Sequence, residues 1–478
     1  MEWLEVLAMA VLAPLITSGI MICLLIPYWV DRYADSSVSP GLLEKGKIMD
    51  NYRLCEFLGA NKDAEYLRIL LVDFSGVRVA HYVPVPRCPQ FAYGDGNVDI
   101  PEDKHKSLRT CGFQPKHATV MACVGDDAHA HRPCSKCPRT LMIDAVEELE
   151  AACGTILLLG FDIEVVLLDQ DDVVVGPEDG LYVSMSMAHY QTLDLVEEIK
   201  HALEIADINI HHFQMKGNTK YEFALAPEPA LKAVDSLILA QEIIRTISAR
   251  FGIKATMTPK PAPLTMDHRG HTMRSVTHNG LHLRILLDHP RSLPKEDFIL
   301  AGLLSHMPSL CAFGMASYDS YWGPTSQMAR DIDDFGTILS YLPVRKSRNG
   351  YYELRIMDST ANPYLFVSAV LHAALDGFEN FKDLHWSSSQ STISEFDWPS
   401  SQSMINELDN DAKRHRWMTD HMPASLEKAL EHLKRDKTLE DRLGRSLVQI
   451  YIHLKEQEVQ VFERYDDEER RLKFLEYF

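Results

Sequence analysis

The sequence predicts an α/β or α+β protein, because short runs of β-branched and apolar residues alternate with longer segments of helical periodicity. Strands are expected at 155–168, 221–225, 282–287 and 351–356, with helices at 187–206, 231–250, 297–306 and 363–378. No segment of about 20 to 50 residues repeats, which excludes a solenoid. The 478 residues, 46% hydrophobic and 24% charged, have ordinary globular composition and length for roughly three units of about 150 residues. Subtracting 68 acidic from 48 basic side chains leaves a net charge of −20. With no long Lys/Arg run, such a chain is not expected to bind nucleic acid by neutralising phosphates. The 9 dispersed cysteines do not resemble a secreted disulfide framework, so a reducing, cytoplasmic setting is expected.

Taken in order, the chain opens on residues 1–32, where 6–30 contains no charged residue. At about 1.5 Å per residue that stretch could cross a bilayer core of about 30 Å as a helix. Trp3, Tyr28 and Trp29 stand where interfacial aromatics belong, while Pro14 and Pro27 would kink or end the helix. Glu2 and Glu5 replace the basic start of a secretory signal, and Arg32, Lys45 and Lys47 favour the downstream side as cytosolic. Residues 6–30 are therefore a candidate transmembrane helix, anchoring a cytosol-facing protein; the other readings are a buried N-terminal helix, or a start codon placed too far upstream, with the segment no part of the working protein. A linker is expected at 33–50, and a smaller domain at 51–138. Within it, 66–84 reads as a hairpin turning at Phe74-Ser75-Gly76. Residues 85–138 look irregular, 141–152 helical, 394–416 polar, and 425–478 helical with charge pairs such as Glu431 with Arg435.

The chemistry-bearing residues fall on the expected strands. Asp162 and Glu164 in GFDIEVVLLD are two apart, so both point to one face of a strand inside an apolar run. Like charges so placed repel unless a proton or cation lies between them, and a divalent metal is the usual remedy. Glu222 follows Gln214 by eight residues, His282 lies in NGLHLR, and Glu353 alternates with Arg355 in YYELRIMD. Taken singly, a strand histidine is more often a core residue and a Glu-x-Arg more often a surface pair. Four strands each offering an inward polar group favour a site, and oxygen ligands with one imidazole suit Mg²⁺ or Mn²⁺. His129, His131, Cys134 and Cys137 in HAHRPCSKC have a spacing that could hold zinc. No GxxxxGK[ST] loop is present.

From residue 66 to 478 the sequence resembles the glutamine synthetase family, class I and its fungal branch in particular. GFDIEVVL, KYEFAL, TMTPKP, GLHLRILLD and YYELRIMDSTANPYL carry the resemblance, in this order. It implies an α+β fold: a β-grasp domain at 51–138, then a catalytic domain at 139–478 of curved antiparallel sheet backed by helices. It also implies a ring-shaped homo-oligomer and a ligase that uses ATP and Mg²⁺ or Mn²⁺ to join a small-molecule carboxylate and an amine through an acyl phosphate. One implied metal position takes Glu164, Gln214 and Glu222, the other Asp162, His282 and Glu353. Arg345, Arg355 and Glu353 match catalytic positions, with Arg345 on the nucleotide side and Arg355 near the transferring phosphate.

The pattern also departs from the family. Gln214 replaces a glutamate, Asp162 is one methylene short, and Arg284 replaces the second histidine of a His-x-His motif. Thr219-Lys220 stands for Gly-Gln, and Leu339-Ser340 for Asn-Arg. The arginine of Ser-Tyr-x-Arg falls on Ser320 or Gly323, and no ammonium-binding aspartate is evident. Two readings follow: a ligase of altered specificity, with Arg284 or Lys220 supplying a relocated charge for substrate or nucleotide, or a catalytically inactive oligomeric scaffold.

Overall fold

The computed structural model describes residues 54, 56–87, 98–99, 107–124, 137–154, 156–175, 187–216, 220–261, 281–287, 293–321, 344–346, 352–380 and 422–477. The apolar stretch 6–30 and the linker 33–50 lie outside them. Among the described residues no helix is long and apolar enough to cross a membrane.

The first sheet is built from β1 (Tyr66–Val72), β2 (Arg78–Pro84), β4 (Arg109–Thr110) and β5 (His117–Met121), in the order β2-β1-β5-β4; β3 (Val98–Asp99) and β6 (Cys123–Val124) pair separately. β1 and β5 run parallel, while β1–β2 and β4–β5 are antiparallel. The expected hairpin forms because the Asp73 carboxylate accepts from the Ser75 and Val77 amides at 2.9 and 2.8 Å, closing the turn. Strand alternation then gives β1 two apolar faces. Leu67 and Ile69 pack with Leu54, Val83, Ala118 and Val120 in a small core, whereas Leu70 and Val72 join the main core of the protein.

The main sheet has eight strands: β7 (Leu157–Leu168), β8 (Ile210–Lys216), β9 (Lys220–Leu225), β10 (Glu228–Pro229), β11 (Lys254–Thr256), β12 (Leu281–Leu287), β13 (Val344–Lys346) and β14 (Tyr352–Met357). Their order is β13-β14-β12-β7-β9-β8, with β10 and β11 also on β7, and every pairing is antiparallel. Wholly antiparallel pairing settles the class as α+β. Around it lie α1 (Pro138–Cys153), α2 (Met187–Ile205), α3 (Ala230–Arg250), α4 (Leu293–Gly314), α5 (Pro363–Glu379), α6 (Leu426–Arg435), α7 (Lys437–Leu443), α8 (Arg445–Phe462) and α9 (Asp467–Tyr477). The sequence pattern ends the fourth of these helices at 306, ahead of a proline, yet α4 continues through Pro308. Packing of α4 along α5 overrides the local break. Strand β8 has no sequence signal because IHHFQMK lacks clear apolar alternation.

Two polar joints fix the geometry. Pro138 starts α1, and the next residue, Arg139, forms a buried bidentate pair with Asp235 of α3, Nε–Oδ1 3.1 Å and Nη2–Oδ2 2.8 Å. Asn362 caps α5 by accepting from the Tyr364 and Leu365 amides, and its own amide donates to the Asp73 carbonyl at 2.8 Å. That bond ties the hairpin turn of the first sheet to the ANPYL segment.

Near this cap, Asp358 accepts from the Thr360 amide at 2.8 Å and hydroxyl at 2.5 Å. Burial nonetheless pushes its carboxyl up to about 6, outweighing the hydrogen bonds from Ser320 and Thr360 that pull it down. A raised folded value means that the stability linked to this group is full below about pH 4 and is lost as pH rises through about 6. An asparagine keeps an acceptor oxygen and cannot ionise. Asp358→Asn is therefore expected to gain about 3 kcal/mol on wild type between pH 4 and pH 7. Denaturant midpoints across that range check this, and equal pH dependence in both proteins would contradict it.

Candidate functional site

One face of the main sheet is apolar and the other carries the chemistry. Phe161, Ile163, Val165, Phe223, Leu283, Leu354 and Ile356 are buried in the core. The intervening positions of the same strands are Gly160, Asp162, Glu164, Glu222, Arg284, Glu353 and Arg355. Directly opposed residues of antiparallel strands share a face, so the register brings these positions together.

Three cross-strand rows result. Gln214, Glu222 and Glu164 lie side by side on β8, β9 and β7. Asp162 is opposite His282 of β12, whose side chain is outside the described set. Arg345, Glu353, Arg284 and Gly160 form the third row across β13, β14, β12 and β7; the side chain of Arg345 is likewise outside that set. The sequence-predicted residues thus converge by backbone placement on one face, although they are spread over nearly 200 residues of chain.

Each described carboxylate faces a basic or amide group of this chain. Glu164 and Glu222 are 6% and 3% exposed. Lys220 Nζ is 3.8 Å from Glu164 Oε2, and Gln214 Nε2 donates to Glu222 Oε1 at 2.6 Å, with His212 Nε2 3.7 Å from the same oxygen. Arg284 Nε is 3.0 Å from Asp162 Oδ1, and its Nη2 donates to the Leu225 carbonyl. Arg355 Nε donates to Glu353 Oε1 at 2.8 Å. The repulsion expected between Asp162 and Glu164 is thus relieved by different cations of the chain itself.

The two metal positions implied by the sequence differ in fit. At the first, two buried carboxylates in register and an amide able to turn its oxygen inward form a hard-oxygen set suited to Mg²⁺ or Mn²⁺. Lys220 is partly exposed on a flexible stem and His212 is exposed, so both can withdraw. At the second, the Arg284 guanidinium fills the space beside Asp162. That set does not fit a second dication. Among the described residues no three of His, Cys, Asp and Glu form a metal-binding group.

Other sequence candidates take structural places. Ser320, a possible position of a substrate arginine, is buried, with its hydroxyl 2.7 Å from Ser317 Oγ and 3.4 Å from Thr360 Oγ1. An arginine there would have no room. Gly323, Leu339 and Ser340 lie outside the described residues. Lys260 of the PKP motif is buried against Asp467 of α9 at 3.0 Å, and Arg471 donates to the Pro261 carbonyl at 3.2 Å, so this motif anchors the C-terminal helix. Of the zinc candidates only Cys137 is described; it is buried beside Cys123 at the start of α1. The sequence pattern does not single out His212 or Gly160. A glycine inside an otherwise apolar strand signals close approach of another group, and here that group is the Arg284 guanidinium.

Comparison with known proteins agrees with this architecture. Residues 135–473 match the family model for the glutamine synthetase catalytic domain. Protein fluG of Emericella nidulans is 29% identical over 381 residues, 75% of this chain but only 40% of that protein. Type-1 glutamine synthetase 1 of Dictyostelium discoideum is 25% identical over 401 residues, 78% of this chain and 75% of that one. In fold, a solved GmaS/ADP complex superposes with a TM-score of 0.67 at 20% identity, covering 88% of this chain and 98% of its own. The α+β sheet, its row of carboxylates and the extent of the family match lead to one assignment: the chain belongs to the glutamine synthetase family.

Proposed function

We propose that this protein is an ATP-dependent ligase joining an amine to a small carboxylic acid other than unmodified glutamate. The observation that carries the reading is the buried, in-register pair Glu164 and Glu222, kept beside Glu353 and Arg355 on one face. In the reaction an oxygen of the acid attacks the γ-phosphorus of ATP and ADP leaves. The amine nitrogen then attacks the acyl carbon, the C–O bond to phosphate breaks, and the nitrogen loses a proton. Both stages crowd negative charge, so cations must offset it. A divalent ion held by Glu164, Glu222 and Gln214 would supply part of that charge. Arg355 neutralises the transferring phosphoryl group and Arg345 holds the nucleotide, with Glu353 orienting Arg355. A nucleotide here is in keeping with the ADP held by the solved GmaS relative.

Residues 51–138 and 139–478 form the two domains in this reading, and the working unit is a ring of identical subunits. The family's substrate arginine falls on Ser320 or Gly323 in this chain, and its loss supports another acid as substrate. The same observation favours a second reading, an inactive oligomeric scaffold.

Phosphate release from ATP, measured with Mg²⁺ over a panel of acids and amines, separates the two. At least one pair is expected to raise release tenfold or more over Glu353→Ala. If none exceeds that variant and calorimetry detects no nucleotide binding by the assembled oligomer, the scaffold reading stands instead.

A further inference from the structure

We infer that Arg284 is a built-in cation that takes up Asp162, a member of the second metal position implied by the sequence, leaving one metal position, at Glu164, Glu222 and Gln214. This deepens the proposed function and rests on that reading only for its catalytic meaning.

The case begins with Gly160. It lies opposite Arg284 in the β7–β12 register, and a Cβ there would sit 3.1 Å from Arg284 Nη2, 3.2 Å from Cζ and 3.3 Å from Nε. Absence of a side chain therefore makes the bed on which the guanidinium rests. Its edges are held by Asp162 Oδ1, 3.0 Å from Nε, and by the Leu225 carbonyl, which accepts from Nη2. The group is 5% exposed. A surface arginine reaching into a site by chance would have neither the glycine bed nor the buried carbonyl acceptor.

Charge points the same way. Asp162 brings a negative charge, which Arg284 matches. A guanidinium carries only N–H donors and no acceptor, so unlike an imidazole it cannot become a ligand of an incoming dication. The shorter Asp162 suits this exchange, since its carboxylate meets Nε from the neighbouring strand. At Glu164 the nearby cation is Lys220, 3.8 Å away and 21% exposed on a mobile stem, and at Glu222 the basic neighbour is the exposed His212, 3.7 Å away. One position is therefore closed by a fixed charge and the other is only guarded by a movable one.

Counting Mn²⁺ bound to the full-length protein without nucleotide, from the electron paramagnetic resonance signal of free Mn²⁺, tests the inference. Wild type is expected to bind one ion per chain, and Glu222→Gln to lose it. Arg284→His is expected to bind two, and Arg284→Ala serves as a second variant without the charge. Two ions per chain in wild type would overturn the inference, as would no added ion in either variant while circular dichroism shows both folded. If neither variant folds, the wild-type count decides alone. Turnover does not enter this measurement, so a failed ligase assay alongside a one-to-two step would reject the proposed activity and leave the role of Arg284 intact.

Discussion

Asp235→Ala is expected to cost about 3–5 kcal/mol of folding stability, because it strands a buried guanidinium. Arg139 and Asp235 are 2% and 3% exposed, and Tyr364 also donates to Asp235 Oδ1, at 2.5 Å. Burial alone would drive the Arg139 guanidinium toward neutrality; the carboxylate beside it more than reverses this and holds it charged. Alanine removes that partner while the positive charge stays between α1, α3 and α5. Replacing both members together, Arg139→Met with Asp235→Leu, removes both desolvation costs and should recover most of the loss. Denaturant unfolding of the two variants measures the difference. A loss below about 1 kcal/mol in Asp235→Ala would contradict the account.

Gly302→Ala is expected to destabilise by about 1–3 kcal/mol, although the same change in an ordinary helix interior stabilises by about 1 kcal/mol. The reversal comes from the α4–α5 crossing. A Cβ on Gly302 would lie 2.2 Å from the Ala373 carbonyl oxygen and 2.8 Å from the Gly377 Cα, both backbone atoms that cannot rotate away. The helices must part, and α4 also packs on β14, which carries Glu353 and Arg355. Gly59→Ala is the matched control, since nothing lies within 4 Å of a Cβ there. Thermal unfolding should separate the two substitutions in sign, and a melting temperature for Gly302→Ala at or above wild type would rule out a tight crossing.

The apolar and polar alternation of β7 and β14 makes much of this site legible in the amino-acid sequence. A period of two in GFDIEVVL and YYELRIM dictates which residues share a face, and that inference needs no tertiary information. The hairpin at 66–84 is legible for a similar reason, because Asp73 and Gly76 make a local turn. Partnership across strands is a different matter. That Lys220 guards Glu164 while Arg284 joins Asp162 depends on the order β12-β7-β9, which no local pattern encodes. Nor does the sequence reveal that Ser320 is walled in beside Thr360, 40 residues onward, since a serine in a polar segment reads as exposed.

The bond from Asn362 to Asp73 also bears on how the protein is made. Its two residues are 289 positions apart, and at about 5–20 residues per second a ribosome adds Asn362 roughly 15–60 s after Asp73. For the earlier part of that interval the face of β1 that bears Arg68, Leu70 and Val72 also lacks Glu242 of α3, the partner of Arg68 174 residues onward. The opposite face needs no such wait, since Leu67 and Ile69 share a core with Val83 of their own hairpin.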